Sequence, residues 1–359
     1  MSRSAFPLCA PSETGWRGDR SSRSVTGVAV SDALKPMAFA SWDDYWAVRH
    51  DESLWTPWFR WALELAALDA ADVAILHPSQ YPTARCGEVI VTIYPDAAFV
   101  FDLEREAHSL LAGQGLPIPT VISAGSFPTD SVGPTWQWLI ESVAEGAAWN
   151  KVRSEMAPRQ AQRAAAATGA VLKGIHQTPH DAARLLNLDW ARFDRLIKDE
   201  VDQLGRNDGR LQRFPNRFVP TLHELASSTY AAINMDIPPA LVHGDVHGDN
   251  VFVKPDTGEL TALIDLNEMY VGHPWYDLAD ACFRLLRGRP GLTGHLIRGY
   301  GEDLSDLASV ADNLLGWGLL HDFDGLTATL DERGVPAEIV TVPQLAGHLT
   351  GLAPISWTN

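Results

Sequence analysis

Residues 241–253 read LVHGDVHGDNVFV, and a second motif, LIDLNE, follows at residues 263–268. Short apolar runs, Ala240–His243 and Leu260–Asp265, flank the polar residues and predict two short strands. The link between these runs contains the turn sequence Pro-Asp-Thr-Gly at residues 255–258, which predicts a hairpin with a polar loop on either side. Loops at strand ends are where functional side chains usually lie.

Three polar residues of these loops, Asp245, Asn250 and Asp265, are of the types that phosphoryl transfer requires. The reaction needs a carboxylate that orients the attacking hydroxyl group and accepts its proton. It also needs oxygen ligands that hold Mg²⁺ and leave room for water and nucleotide phosphates. We therefore predict Asp245 as the catalytic base, and Asn250 with Asp265 as the magnesium ligands.

The cluster His243, Asp245, His247 and Asp249 allows a second interpretation, a hydrolytic metal centre. Histidine ligands are normally completed by another histidine or carboxylate at helical spacing, and none is evident here. A third interpretation is a polar turn without catalysis. The pair of motifs favours phosphoryl transfer over both.

The composition limits the classes of partner. The chain has 28 Lys and Arg residues against 45 Asp and Glu residues, a net charge of −17 at pH 7. This charge repels a phosphate backbone and favours cationic ligands, so nucleic acid is not an expected partner. No apolar run approaches the about 18 residues that span a bilayer, so no membrane partner is expected either.

The cysteines and the N-terminus both indicate a cytoplasmic protein. Cys9, Cys86 and Cys282 lie far apart without a CxxC spacing, which predicts reduced thiols rather than disulfides or a zinc site. The N-terminal residues lack the compact hydrophobic segment of a secretory signal.

The chain divides into three predicted segments, which together give an α+β, two-lobed fold. Residues 1–36 are rich in Ser and Arg and precede Met37, a second candidate start, so we predict a disordered extension. Residues 37–145 combine a Trp-rich helix, from Ser41 to about Ala71, with strands and a second helix, and form the N-terminal nucleotide-binding lobe. Residues 146–359 contain long helical stretches and form a helical C-terminal catalytic and substrate lobe.

The motif HGDVHGDN resembles the catalytic loop of aminoglycoside phosphotransferases, distant relatives of protein kinases, and IDLNEMYVGHPWYDLAD resembles their metal-binding segment. The likeness is greatest to hygromycin B phosphotransferases that modify the 7″ hydroxyl group. It extends over about residues 41–325, through stretches such as SQYP, WLIESVAEGAAW and LLHDF. The resemblance implies a two-lobed protein-kinase-like fold, with Mg²⁺ as cofactor and ATP as phosphoryl donor.

The resemblance also assigns roles outside the catalytic loop. Glu106 matches the helix glutamate that pairs with the nucleotide lysine, and residues 141–143 match the linker whose backbone contacts adenine. These linker residues are Glu141, Ser142 and Val143. Three further residues in the matching motifs are expected to brace the catalytic loop, namely His243, His247 and Asp277.

The family's strand lysine is missing, because the matching position is Thr92 and no lysine occurs between Lys35 and Lys151. Loss of this cation removes part of the charge stabilisation at the nucleotide phosphates. Arg85 and Arg105 are candidate substitutes, and we expect Arg85 to contact the nucleotide. The pairing role of Glu106 is also less well supported, because its lysine partner is missing.

A run of six acidic residues without Lys or Arg lies between Gly301 and Asp324. A surface of this kind attracts a polycationic ligand, although it is also what a solvated helix face contains. Asp322 and Asp324 lie in the matched stretch LLHDFD, so we predict them as substrate-binding residues.

The leading hypothesis is ATP-dependent O-phosphorylation of an aminoglycoside or related aminocyclitol, with antibiotic resistance or self-protection as the outcome. Phosphorylation of another metabolite alcohol, such as a choline-like or amino-sugar substrate, is an alternative that uses the same motifs. A non-catalytic pseudokinase is a further alternative, and Thr92 is the feature that supports it.

Overall fold

The computed structural model describes residues 34–69, 72–77, 79–95, 97–128, 135–180, 189–206, 209–233 and 238–352. The chain divides into two units, Met1–Lys35 and Pro36–Asn359, and the second contains nearly all of the described residues. Residues 1–33 of the predicted extension lie outside the described residues. The second unit contains a sheet in its N-terminal part and mainly helices in its C-terminal part, so the predicted α+β class is confirmed.

The Trp-rich segment forms two helices, α1 (Trp42–Val48) and α2 (Glu52–Leu65), where the sequence predicted one. The break has a local cause, because the side chain of Asp51 accepts hydrogen bonds from the backbone N–H groups of Ser53 and Leu54 and so caps α2. Trp58 of α2 packs on Trp136 with ring centroids 4.5 Å apart. The tryptophans therefore build a core, as their helical spacing indicated.

The N-terminal sheet has five antiparallel strands in the order β1-β2-β3-β5-β4. Their bounds are β1 (Val73–Ile75), β2 (Thr83–Cys86), β3 (Val89–Tyr94), β4 (Val121–Ser126) and β5 (Gln137–Ser142). Helix α3 (Ala98–Leu111) covers the face that carries Tyr94, whose ring contacts Phe101. Side chains alternate between faces along a strand, so Thr92 lies on this same face.

Two small sheets follow the N-terminal sheet. β6 (Ala147–Ala148), β8 (Val251–Lys254) and β9 (Glu259–Leu263) form one, and β7 (Ala240–Val242) pairs with β10 (Tyr270–Gly272) in the other. The predicted hairpin therefore exists, but its strands are β8 and β9. The prediction joined β7 to β9 because it missed Val251–Lys254, a strand of four residues that directly follows the catalytic loop.

Helices make up most of the C-terminal part. Their bounds are α4 (Trp149–Val152), α5 (Pro158–His176), α6 (Trp190–Leu204), α7 (Gly209–Gln212), α8 (Val219–Ala232), α9 (Pro274–Asp280), α10 (Leu292–Tyr300), α11 (Leu307–Leu319), α12 (Gly325–Arg333) and α13 (Val342–Thr350). A π-helical turn, Ala281–Leu285, follows α9 directly. α5 packs closely on α10. A Cβ atom at Gly169 of α5 would collide with the Leu296 carbonyl oxygen of α10.

The described residues contain no helix that is both long and apolar enough to cross a bilayer. Cys86 and Cys282 are buried and not disulfide-bonded, as their spacing predicted, while Cys9 lies outside the described part. A continuous apolar core runs through the C-terminal part. It includes Val246, which lies within the HGDVHGDN motif, and Leu266, which lies in the LIDLNE motif.

Candidate active site

The catalytic loop lies between β7 and β8 and is held in a conformation that only glycine allows at position 244. Gly244 has φ +82°, and a Cβ atom there would lie 2.3 Å from the Glu268 carbonyl oxygen. Glycine adopts this backbone conformation without steric cost. The loop therefore packs directly against the LIDLNE segment, and the two sequence motifs meet in space.

Asp245 is buried at the centre of this loop, and three side chains surround its carboxylate. Arg284 donates to Oδ1, Asn250 Nδ2 donates to Oδ2 at 3.1 Å, and His247 Nε2 lies 3.5 Å from Oδ2. Burial acts to raise the pKa of Asp245, but the interactions with His247 and the charge of Arg284 outweigh it and lower that pKa below 3.8. The carboxylate is therefore ionised at neutral pH, as a general base requires.

Asp277, at the start of α9, braces the catalytic loop from behind. Its carboxylate accepts from the backbone N–H groups of His243 and Gly244, each at 2.8 Å, and contacts His176 Nε2 at 2.8 Å. His243 in turn accepts from the Asp245 N–H through Nδ1, and its Nε2 lies 3.1 Å from the Ile264 carbonyl oxygen. These contacts fit the predicted bracing roles of Asp277 and His243.

His247 contacts both Asp245 and the backbone N–H of Asp249, whose donor atom lies 3.2 Å from Nδ1. Within the described part of the chain, the side chains of His243, Asp245, His247 and Asp249 do not converge as a set of metal ligands. The geometry thus does not support the hydrolytic metal centre that the motif allowed.

Arg284 is a site residue that the sequence reasoning missed. Its guanidinium group bridges Asp245 and Asp280, with Nη1 3.2 Å from Asp280 Oδ2, and lies 4.5 Å from the ring centroid of Phe323. It belongs to the π-helical turn, in which the Leu286 N–H donates to the Ala281 carbonyl. π-helical turns occur often at functional sites, but no sequence signal marks this one.

Asp265 follows β9 with φ +68°, a left-handed conformation that is uncommon for a residue other than glycine. Burial first, and then the charges of Glu104 and Asp245, raise the pKa of its carboxyl well above the usual value. A bound cation would therefore stabilise the ionised form of this carboxyl. Asn250 uses Nδ2 toward Asp245, which leaves Oδ1 as its acceptor atom. The two residues supply oxygen donors of the kind that Mg²⁺ prefers, and so the pair fits the ion.

On the N-terminal sheet, Thr83 rather than Arg85 is directly opposite Thr92, and their Oγ1 atoms are 3.4 Å apart. Arg85 is on the same face but pairs with Ile90, two residues nearer the linker, and its Nε donates to the Gly87 carbonyl. Its role toward a nucleotide stays a prediction, and the register favours a contact near the linker. Arg105 lies half-exposed on α3 with Asp102 at 4.0 Å.

On α3, Glu104 contacts the sheet. Its side chain is buried and accepts a short hydrogen bond from the Tyr94 hydroxyl group of β3. Burial and then the charge of Glu141 raise the pKa of Glu104 to about 8. Glu106, two residues further on, is half-buried, and its pairing role stays a prediction. Glu104 follows Phe101 at helical spacing, which is the signal that could have identified it.

The linker residues lie at the end of β5. The Ser142 N–H donates to the Thr120 carbonyl at 3.0 Å, and the Val143 N–H donates to the Glu88 carbonyl at 3.3 Å. These donors are thus used within the protein, so the predicted backbone contacts with adenine would fall to carbonyl groups or to Ala144. The Glu141 side chain contacts His108, with Oε1 2.8 Å from Nε2.

Asp322 and Asp324, both in the stretch LLHDFD, occupy different environments. Asp322 is half-buried, and burial raises its pKa against the charges of Arg210 and Arg284. Asp324 is exposed and caps α12 by accepting from the Thr327 N–H at 3.0 Å. The structure favours Asp322 for a ligand contact and gives Asp324 a structural role.

Glu268, which the sequence reasoning also missed, adds a half-buried carboxyl that senses the charges of Asp245 and Asp322. Burial raises its pKa to about 7, and the charges of Asp245 and Asp322 act in the same direction. Tyr270 donates to its Oε2 at 3.1 Å. The environment around Asp245 is therefore rich in carboxyl groups.

Comparison with known proteins places this site in a family. A protein-family model described as "Phosphotransferase enzyme family" matches residues 81–312, which include the catalytic loop, Asp265 and Arg284. One curated relative, a lysine-specific demethylase (JMJ21) of Arabidopsis thaliana, is 20% identical over 245 residues. That match covers 58% of this chain and only a quarter (25%) of the relative.

Solved structures with a similar fold include aminoglycoside phosphotransferases. APH(3″)-Id from Streptomyces rimosus is 19% identical, with a TM-score of 0.51, and the match covers 74% of this chain and 98% of that one. APH(4)-Ia in a complex with ADP and hygromycin B is 18% identical, with a TM-score of 0.51 and 81% and 97% covered. A GDP complex of an aminoglycoside 2′-phosphotransferase-IIIa mutant is 16% identical, with a TM-score of 0.55 and 77% and 94% covered. At these identities the likeness shows the fold.

Proposed function

We propose the function of this chain from one premise: the chain belongs to the phosphotransferase enzyme family. It transfers the terminal phosphoryl group of ATP to a hydroxyl group of a cationic aminoglycoside or related aminocyclitol, of the hygromycin B type. The reaction takes place in the cytoplasm, where ATP is available. Inactivation of an antibiotic, for resistance or self-protection, is the outcome.

The observation that carries this proposal is the arrangement around Asp245. An ionised carboxylate lies in a buried loop, oriented by Asn250 and Arg284, and the loop packs on the segment that contains Asp265. A family match alone would be compatible with a chain that had lost its base. The intact set Asp245, Asn250 and Asp265 argues for turnover.

In the reaction, the acceptor hydroxyl group approaches Asp245, which orients the oxygen atom and accepts its proton as the oxygen–phosphorus bond forms. The bond between the γ-phosphorus and the β–γ bridging oxygen breaks, and ADP leaves. Arg284 and His247 keep Asp245 ionised for this step. Asn250 Oδ1 and the Asp265 carboxylate would hold Mg²⁺, and the ion would supply positive charge for the nucleotide phosphates.

The substrate class follows from the charge of the pocket. Burial and the negative charges of Asp245 and Asp322 raise the pKa of Glu268, so a bound ammonium group would stabilise its carboxylate. Aminoglycosides carry several ammonium groups. A neutral alcohol would bring no positive charge to Glu268, so neutral alcohols are poorer candidates for this site.

A product scan tests the proposed function. Purified protein, Mg²⁺ and labelled ATP are incubated with an aminoglycoside panel that includes hygromycin B, and in parallel with choline and amino sugars. We expect label transfer to an aminoglycoside. Transfer to choline or an amino sugar alone would contradict the substrate class, and no transfer to any acceptor would contradict the activity.

The magnesium assignment predicts that Asp265→Ala weakens Mg²⁺-dependent nucleotide binding by at least about tenfold, because loss of a carboxylate leaves the ion under-coordinated. Calorimetric titration of ATP with and without Mg²⁺ measures this effect. Asp256→Ala, in the exposed β8–β9 turn, is the matched control and should leave binding unchanged. An unchanged magnesium dependence in Asp265→Ala would exclude Asp265 as a ligand.

The substrate pocket predicts that Asp322→Asn raises the KM for the aminoglycoside by about tenfold with little change in kcat, because a charge-assisted contact is lost. The KM of the wild type should also rise with ionic strength. Asp324→Asn is the matched control, since asparagine caps a helix as well as aspartate does. Equal effects of the two substitutions would count against the placement of the ammonium group at Asp322.

Substitutions of Arg85 on β2, Arg105 on α3 and Thr92 on β3 are expected to have graded effects on ATP binding. We expect Arg85→Ala to raise the KM for ATP about two- to fivefold, the effect of one exposed charge, and Arg105→Ala to have less effect. Thr92→Lys should lower that KM, because it restores a cation at the family position. A wild type that is inert until Thr92→Lys is introduced would show that catalysis had been lost with the lysine.

A further inference from the structure

The buried carboxylate of Glu104, the partly buried carboxylate of Glu141 and one imidazole meet on the sheet face that carries Thr92. One ligand atom each from Glu104, His108 and Glu141 lies within 4.8 Å of the others. Glu104 and His108 are 6% and 7% exposed, and the Glu141 side chain is 14% exposed. We propose that Glu104, His108 and Glu141 bind a divalent transition-metal ion, with Zn²⁺ as the best match.

The backbone positions these three side chains as a metal site requires. Glu104 and His108 are one helical turn apart on α3, a spacing that places both on the same side of the helix. Glu141 reaches them from the end of β5, where it pairs with Ile90 of β3. Two ligands from a helix turn and a third from a separate rigid element is an arrangement common to zinc sites.

The donor atoms suit zinc better than magnesium. An imidazole nitrogen is a good ligand for Zn²⁺, whereas Mg²⁺ takes oxygen ligands almost alone. Zinc–ligand distances of about 2.0–2.2 Å need donor atoms roughly 3.5 Å apart, which small side-chain rotations achieve from the observed separations. His108 Nε2 and Glu141 Oε1 are already 2.8 Å apart, and the ion would take the place of the proton between them.

Tyr94 supports the site from outside. Its buried hydroxyl group donates to Oε2 of Glu104, which leaves Oε1 of that carboxylate for a metal ion. Carboxylate ligands in proteins are usually held by such a hydrogen bond, which orients the ligand.

The charges around the site favour a cation. Among the residues that the structure describes, neither Glu104 nor Glu141 has an ion pair with lysine or arginine. Asp265 is close enough for both carboxylates to act on its ionisation. Carboxylates buried together are costly unless a cation or a proton compensates them. If the proposed function holds, the ion also supplies positive charge that Thr92 cannot.

The test is a metal titration of the full-length, nucleotide-free protein, so that its result does not depend on catalysis. Zn²⁺ is titrated with detection of protein-bound metal after dialysis, and Co²⁺ is titrated with detection of its visible absorption. We expect one equivalent of each to bind. Mg²⁺ at millimolar concentration should not displace the bound zinc.

Variants identify the ligands. His108→Ala and Glu141→Gln should each lose the bound equivalent, and Tyr94→Phe should weaken binding by about tenfold or more without abolishing it. His295→Ala controls for unspecific histidine binding, and Asp265→Asn controls for the nucleotide magnesium site; both should keep the equivalent. If His108→Ala does not fold, judged by circular dichroism, Glu141→Gln and the cobalt spectrum decide.

Two results would overturn the proposal. The first is a wild type that retains no zinc, which would mean that a proton compensates these carboxylates. The second is zinc binding that Glu141→Gln and Tyr94→Phe leave unchanged, which would place the ion elsewhere. Failure of the product scan would leave both measurements unaffected, so the metal site and the proposed function are tested separately.

Discussion

Asp245→Asn is expected to fold normally and to lose turnover by about 10²- to 10⁴-fold, the range for removal of a general base. The amide has the size of the carboxylate but cannot accept the acceptor's proton. Arg284 remains paired with Asp280 in this variant, so no buried cation is left without a partner. The measurement is steady-state kcat with a saturating aminoglycoside, alongside a thermal unfolding curve.

Asp249→Asn is the matched control, because it makes the same change four residues away in the same loop. The Asp249 carboxylate is exposed and accepts from Asn150 Nδ2, an interaction outside the reaction centre. Turnover in this variant should stay near that of the wild type. Comparable losses in both variants, or near wild-type turnover in Asp245→Asn, would reject Asp245 as the base.

Arg284→Met is expected to destabilise the protein by about 3–5 kcal/mol and to lower activity at the same time. In the described structure Arg284 contacts both Asp245 and Asp280, and both of these carboxylates are buried. Without it, the buried Asp245 carboxylate keeps only His247 and Asn250 as side-chain partners, and the buried Asp280 loses its arginine partner. Urea or thermal unfolding measures the loss of stability.

The same variant should shift the pH dependence of kcat. In the wild type the pKa of Asp245 lies below its ordinary 3.8, so this group contributes stability above that pH and loses the contribution as the pH falls. Loss of the Arg284 charge raises the pKa of Asp245, so the acid limb of kcat should move to higher pH. A purely structural role would change stability without moving this limb.

Two comparisons complete the Arg284 experiment. Arg284→Lys keeps the charge and should recover part of both losses. Arg213→Met removes an arginine that pairs with Asp331 at the exposed surface, where the expected cost is within about 1 kcal/mol. If Arg284→Met lowered the free energy of unfolding as little as Arg213→Met, the ion pair between Arg284 and Asp245 would not stabilise the protein.

The catalytic loop could be predicted from sequence because its residues are close together in the chain. The motif from His243 to Asn250 fixes a loop between two strands, and Asp265 follows at the end of the next strand. Arg284 could not be predicted, because its contact with Asp245 joins residues 39 positions apart and depends on how α9 ends. Nothing in the local sequence distinguishes it from a surface arginine.

The N-terminal part shows a different limit. The sequence suggested only that Arg85 lies on a strand next to that of Thr92, and the pairing register is needed to show that the two share a face and that Thr83 is the direct neighbour of Thr92. On α3, the choice between Glu104 and Glu106 depends on helical phase, and a shift of two residues exchanges a buried carboxylate for a half-buried one. Short strands and single helical turns contain too few apolar residues to determine the strand register or the helical phase from sequence.

The π-helical turn Ala281–Leu285 has a consequence for how relatives are aligned with this chain. A π-turn holds one residue more than an α-helical turn, and each residue of an α-helix turns the chain by about 100°. A homologue with an uninterrupted helix here needs a one-residue gap between Asp280 and Leu286. An alignment without this gap places a neighbouring residue of the homologue in the column of Arg284. Counting arginines in that column would then miss the arginines that contact the catalytic aspartate.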